Sequence, residues 1–257
     1  MAGVSFQSIK RAARAGGAGL LGLVLPPTCI ACGAITGQAG GLCGPCWGSL
    51  AFITPPLCDR TGAPFVHDPG TRHNGVLVSP QALADPPAFD RARAAVTYTA
   101  AARNLVHNLK YADRLDIAAP MARLMAQAGA DVIGDADVIV PVPLHPLRLW
   151  RRRFNQAALL GGHIARMAAM PQRTDLLQRR RGTPSQTALG RAERRDNVAG
   201  AFALSRNAAS VLAGRRVLLV DDVYTTGATL DACARALRRA KVGGVDALTF
   251  ARVVDFA

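Results

Sequence analysis

The stretch VLLVDDVYTTGATL, residues 217 to 230, constrains this chain more than any other. Four apolar residues, two of them β-branched, make a buried strand that is expected to end on two adjacent carboxylates, Asp221 and Asp222. Thr225, Thr226, Gly227, Ala228 and Thr229 follow at once, and a helix starts there with Leu230, Cys233, Ala234 and Leu237 on its apolar face. Amides at a helix N-terminus have no intrahelical partner, and the helix dipole is positive there, so the turn is an anion cradle of phosphate size. Gly227 is expected to remove a Cβ that would block close approach. The two acids cannot bind phosphate themselves, but ionised oxygens suit the hydroxyls of a sugar. A ribose 5-phosphate fits both halves. An ordinary helix cap would account for one hydroxyl, not for two acids followed by three threonines and a glycine. Both the dinucleotide fingerprint and the Walker A loop are absent from this turn.

The rest of the C-terminal part repeats the strand-then-helix texture. RARAAVTYT reads as a strand, and ARNLVHNLKYAD puts Leu105, Val106 and Leu109 on one helical face. A helix around 120–130, the run VIVPV at 138–142, a helix from about Asn155 to Met170, a helix over 228–240 and the final run VDALTFARVV continue it. Strands alternating with helices predict an α/β fold with a mostly parallel sheet flanked by helices. Ligands should then bind beyond the carboxyl ends of the strands, after Val142 and after Val220. Residues 29–95 carry turn dipeptides at Pro55-Pro56, Asp68-Pro69, Asn74-Gly75 and Pro86-Pro87, and read as loops and short strands. No internal repeat is evident. The expected division is a short amphipathic helix over 1–28, a cysteine-rich and hood region over 29–88, and the α/β domain over 89–257.

PVPLHPLRLWRRRFNQ, residues 141–156, leaves the end of a second buried strand. Arg148, Arg151, Arg152 and Arg153 there supply guanidinium forks suited to pyrophosphate oxygens, although a solvated basic helix end would look the same. The chain has a formal net charge of +14. Residues 148–216 hold fifteen arginines against Asp175, Glu193 and Asp196, so the excess is concentrated there. Within that stretch, residues 179–202 are polar and broken by Gly and Pro, which suggests a mobile flap over an anionic site.

Cys29, Cys32, Cys43 and Cys46 form two CxxC pairs separated by ten residues, with Gly33 and Gly44 able to make tight knuckles. Four thiolates satisfy a tetrahedral zinc. Two disulfides or a redox CxxC are the alternatives, and a cytosolic address without a thioredoxin-like context argues against both. A site closed by four cysteines is structural rather than catalytic. The five histidines are scattered and read as structural or solvent-facing.

Basic residues ahead of AGGAGLLGLVL give the first 27 residues the order of a secretory signal, but Pro26, Pro27 and a cysteine pair follow instead of a small-x-small cleavage site. With no apolar run of about 18 residues, no membrane insertion is expected, and the chain reads as soluble and cytoplasmic.

At VLLVDDVYTTGATL the chain resembles the PRPP-binding motif of type I phosphoribosyltransferases, where PRPP is phosphoribosyl pyrophosphate. The resemblance implies that Asp221 and Asp222 engage the ribose hydroxyls, that Thr225, Thr226, Gly227, Ala228 and Thr229 wrap the 5-phosphate, and that magnesium arrives on the pyrophosphate. Over nearly its full length the chain resembles the competence protein ComF family, through PPTCIACG, LCGPCW, NLKY, VPVPLHPLRLWRRRFNQ, an Arg181, Gln186, Arg191, Asn197 run, AFAL and the PRPP motif. That resemblance adds Lys110 of NLKY to the PRPP-binding residues and Arg152 to the catalytic ones. It implies either phosphoribosyl transfer to an acceptor, or a non-enzymatic PRPP-fold sensor or scaffold in uptake of single-stranded DNA. The second would work through a protein partner of the uptake machinery or through single-stranded DNA directly. Aromatic residues are only 5% of the chain, which supplies few stacking platforms for single strands. Two departures stand out. Arg153 occupies a position where the family usually has Gly, and Thr61 stands where a partner for Cys58 would be, so Cys58 is expected to be a small buried residue rather than a ligand.

Overall fold

The computed structural model describes residues 26–37, 40–68, 72–111, 114–181 and 200–254. Most of the expected N-terminal helix (residues 1–25 of 1–28) and most of the flap, including Gln186, Arg191 and Asn197, lie outside the described residues. The chain divides into two units, Met1–Ser49 and Leu50–Ala257.

In the first unit, the four cysteines surround a hairpin closed by a Thr28–Ile35 bridge and a five-residue helix α1 (Gly44–Gly48). Among its described residues only Cys29 and Ile30 are buried. A core of that size cannot hold a fold, because apolar burial scales with area removed from water.

The second unit is built on a four-stranded parallel sheet. Its strands are β1 (Arg91–Thr97), β2 (Val138–Pro141), β5 (Arg216–Tyr224) and β6 (Gly244–Arg252), in the order β1-β6-β5-β2. β3 (Leu177–Arg179) and β4 (Phe202–Leu204) form a separate antiparallel pair. The helices are α2 (Pro80–Ala84), α3 (Ala100–Tyr111), α4 (Ala118–Ala128), α5 (Ala130–Gly134), α6 (Pro146–Arg152), α7 (Gln156–Met167), α8 (Ala208–Leu212) and α9 (Ala228–Arg238). Helices α4 and α7 pack on each other and on the sheet, while α9 packs with β3 and β4.

Alternation along β5 explains how both faces are covered. Val217 and Leu219 join one cluster with Leu230, Cys233 and Leu237 of α9 and with Phe202 of β4, and Leu218 and Val220 are equally buried on the opposite face. The same alternation sends Asp221 and Asp222 to opposite faces. The expectation that the strand stops at Val220 needs correction. β5 runs on to Tyr224, because β6 continues beside it with Asp221 opposite Thr249 and Tyr224 opposite Arg252. β2 stays paired only as far as Pro141 opposite Val220, with one further Val142 N–H to Val220 carbonyl bond of 2.9 Å. The two acids therefore lie on a strand whose β2-side edge has just been vacated, which is where a crevice opens.

The ends of the strands are pinned by charge. Asp246, fully buried on β6, takes hydrogen bonds from Arg91 of β1 at 2.8 Å and from Arg216 of β5 at 2.9 Å. A buried carboxylate is tolerated because two guanidinium groups meet it.

Candidate functional site

A cavity of about 830 Å³ fills the crevice beyond β2 and β5. Its floor is Asp221 and Asp222, and its walls are the chain leaving β2, the end of α3, the first turn of α9 and Arg179 of β3. Six cations face it: Lys110, Arg148, Arg151, Arg152, Arg153 and Arg179. Against two acids, that excess makes the cavity a receptor for anions.

On the Asp222 side, Lys110 in the last turn of α3 places Nζ 2.5 Å from Asp222 Oδ2. Burial acts to lower the Lys110 pKa, but the Asp222 carboxylate outweighs it and leaves the ammonium raised. Arg152 donates to Tyr111 Oη at 2.9 Å and to Gln156 Oε1 at 3.2 Å, and its guanidinium lies 5.0 Å from the Tyr111 ring centre. Tyr111 carries no charge signal in the sequence, yet it positions the arginine.

On the other face stands Asp221, whose carboxyl accepts the Asp222 amide at 2.9 Å. Burial first and the Asp222 charge second push it up to about 8. A carboxyl with a raised folded pKa favours the native state while protonated. That contribution is complete below the unfolded value near 4 and is lost as the pH rises through about 8. Asp221→Asn is accordingly expected to melt above the native protein at pH 9 and level with it at pH 4, measured by thermal scans without ligand. Arg179, nine-tenths buried and 5.4 Å from the Phe202 ring centre, approaches this side. Burial, then Arg148, lowers its pKa, with Cys233 and Asp221 opposing. Its role was hidden in a run of three arginines, although buried–exposed–buried alternation over Leu177, Gln178 and Arg179 sets it inward.

The hydroxyl turn is divided. Thr225 and Thr229 reach the cavity, whereas Thr226, Gly227 and Ala228 form the turn and are not among the lining side chains. The Ala228 N–H meets Thr226 Oγ1 at 3.5 Å. Gly227 is needed for a different reason from the expected one. It is left-handed, with φ of +82°, and a Cβ there would lie 2.6 Å from the Tyr224 ring, so the space is filled by protein rather than kept for a ligand.

The stretch after β2 forms a basic helix, and its arginines nevertheless line the cavity. His145 caps α6, its Nδ1 accepting the Leu147 amide at 3.3 Å, and Pro146 fits the first helical position. Arg153 ends the helix with φ of +63°, the left-handed form that a glycine adopts without strain. Asn155 then ties the loop back, donating to the Val142 carbonyl and capping α7 through the Ala157 amide, both at 3.0 Å. Arg153→Gly should stabilise the protein by about 0.5–1 kcal/mol, the strain released less the added freedom of the unfolded chain. A urea midpoint that moves upward would bear this out.

In the first unit, the sulfurs of Cys29, Cys32, Cys43 and Cys46 all lie within 4.8 Å of one another. The Cys32–Cys43 separation is 3.7 Å. A tetrahedron with zinc–sulfur bonds of about 2.3 Å has edges of roughly 3.8 Å, so the four positions fit the metal. The Cys43 amide points at Cys29 Sγ from 3.3 Å. Burial would raise the Cys29 thiol, but the amides of Cys43, Cys32 and Ala31 bring it down to about 6, while burial and the neighbouring sulfurs raise Cys46. A divalent cation removes that repulsion.

A family model of a double zinc ribbon domain matches residues 20–76, and one of a phosphoribosyl transferase domain matches residues 155–253. Competence protein F of Haemophilus influenzae is 30% identical over 230 residues, covering 87% of this chain and 96% of that protein. The chain belongs to the ComF/YhgH competence-protein family. DNA utilization protein YhgH of Escherichia coli K12 is 32% identical over 208 residues, 77% of this chain and 85% of that one. The allosteric regulatory enzyme of purine biosynthesis aligns over 56% of this chain and 29% of its own, at 20% identity and a TM-score of 0.38. In this member of the ComF family, then, a four-cysteine zinc-binding cluster accompanies a phosphoribosyltransferase-like α/β fold. No described helix is long and apolar enough to cross a membrane.

Proposed function

We propose that the chain binds PRPP with magnesium and transfers its 5-phosphoribosyl group to an acceptor, releasing pyrophosphate. The observation that carries this is one cavity holding both acids, the hydroxyls of Thr225 and Thr229, and the cations Lys110 and Arg152. The bond from ribose C1 to the pyrophosphate oxygen breaks as the acceptor's bond to C1 forms, and negative charge builds on the leaving group. Lys110 and Arg152 neutralise that charge, Asp221 and Asp222 orient the ribose hydroxyls, and the turn from Thr225 to Thr229 holds the 5-phosphate. Magnesium, carried on the pyrophosphate, supplies further charge neutralisation there. The open crevice and the paired carboxylates suit an ion that keeps phosphate and water ligands. Release of pyrophosphate across a panel of bases and amines tests the reaction.

A second reading keeps the pocket as a sensor in an accessory protein of DNA uptake. The names of the relatives, competence protein and DNA utilization protein, favour it. So does Trp150, 81% exposed between Arg151 and the Arg148 side of α6, a stacking face beside cations that suits single-stranded DNA better than overall composition suggests. PRPP binding without pyrophosphate release from any acceptor, together with a mobility shift of steep salt dependence, would select this reading.

A further inference from the structure

The sequence alone shows no evident repeat, but the hydrogen bonds reveal one. In the first zinc knuckle, Cys29 N–H donates to the Ala34 carbonyl at 2.7 Å, Gly33 N–H to Cys29 at 2.9 Å and Thr36 N–H to Pro27 at 2.8 Å. Twenty-nine residues on, Cys58 N–H donates to Ala63 at 2.8 Å, Gly62 N–H to Cys58 at 2.7 Å and Phe65 N–H to Pro56 at 2.9 Å. Thr28 bridges Ile35, and Leu57 bridges Pro64. Gly33 and Gly62 are both left-handed, with φ of +76° and +67°.

The second half of the ribbon is duplicated too. Ile30 N–H reaches Gly41, and Asp59 N–H reaches Leu77. Cys43 precedes the five-residue helix α1, and Ser79 caps the five-residue helix α2. The Cys43 amide meets Cys29 Sγ at 3.3 Å, and the Ser79 amide meets Cys58 Sγ at 3.3 Å. In this correspondence Cys29, Cys32, Cys43 and Cys46 become Cys58, Thr61, Ser79 and Ala82. Two neutral hydroxyls and a methyl replace three thiolates, so this second half, which the double zinc ribbon match enters as far as residue 76, does not fit a zinc ion.

We propose that residues 56–68 and 72–85 belong to a second zinc ribbon that keeps its shape without metal and braces the phosphate turn of the α/β domain. Its knuckle carries the brace. The Thr61 carbonyl accepts Arg252 Nη1 at 2.5 Å, and the Arg252 guanidinium lies 4.1 Å from the centre of the Tyr224 ring. That ring fills the space beneath Gly227, and Phe89 meets it edge-on at 6.1 Å. The latent metal geometry needs no assumption about PRPP, and neither does the brace, since both are read on the protein without ligand.

The test is cobalt and zinc stoichiometry on the full chain. The native protein should hold one metal per chain, and Thr61→Cys, Ser79→Cys, Ala82→Cys together should hold two, the second with a tetrathiolate cobalt spectrum. A folded triple variant that still binds one metal overturns the repeat. Should the triple variant fail to fold, Cys58→Ala decides the matter: metal content must stay at one, and a fall would make Cys58 a ligand and the proposal wrong. For the brace, Arg252→Met should speed amide exchange at residues 225–229 about tenfold, leaving Val138–Val140 unchanged. Unchanged exchange in the turn would remove the brace.

Discussion

Cys46→Ser should abolish stoichiometric zinc and dissolve the structure of residues 26–37 and 40–49, seen as collapse of their amide dispersion in NMR spectra. Burial of Cys29 and Ile30 is far too small to offset the conformational entropy of ordering some twenty residues, which costs roughly 1–2 kcal/mol for each backbone unit fixed. Helix α1, with five residues and no buried side chain, cannot persist alone. Structural zinc in small modules contributes on the order of 10–16 kcal/mol of apparent binding free energy at neutral pH, and that free energy is also the folding free energy. Serine offers a neutral hydroxyl in place of a thiolate and leaves three ligands. Retention of native spectra by a zinc-free variant would show that something other than the metal holds the unit.

Much of this was legible because local pattern and tertiary role agree. The apolar runs at 138–142 and 217–220 read as buried strands, which they are, and Leu105, Val106 and Leu109 announced the buried face of α3. Spacing alone drew the four cysteines together. What stayed hidden depended on neighbours far away in sequence. The extension of β5 past Val220 is set by β6, whose paired residues lie 28 positions on, and not by its own acids. Tyr111 and Arg179 join the cavity through the packing of α3 and β3, which no single segment encodes. The ribbon repeat is masked in the sequence because three of the four positions that would carry metal ligands are replaced. The residual signal was PPTCIACGA against PPLCDRTGA, where the prolines, one cysteine and Gly-Ala recur. Arg153 could be flagged as a departure from glycine, while only the backbone shows that the left-handed turn is kept regardless.

In the proposed function the paired acids on β5 hold the ribose of PRPP in the cavity. At pH 9, above the Asp221 value of about 8, Asp221→Asn with Asp222→Asn preserves side-chain size while removing both charges, so it tests chemistry rather than packing. Hydrogen bonds to ionised groups contribute about 1.5–3 kcal/mol each. Losing two should weaken binding by about a hundred-fold or more. Lys110 would also lose its partner on Asp222, which returns some affinity through the pyrophosphate and keeps the expected loss near the lower end. Isothermal titration of PRPP with magnesium is the direct measurement. One molecule bound per native chain, with binding lost in a folded double variant, is the predicted result. Equal affinity in the two proteins, or no heat from the native one, would contradict the account.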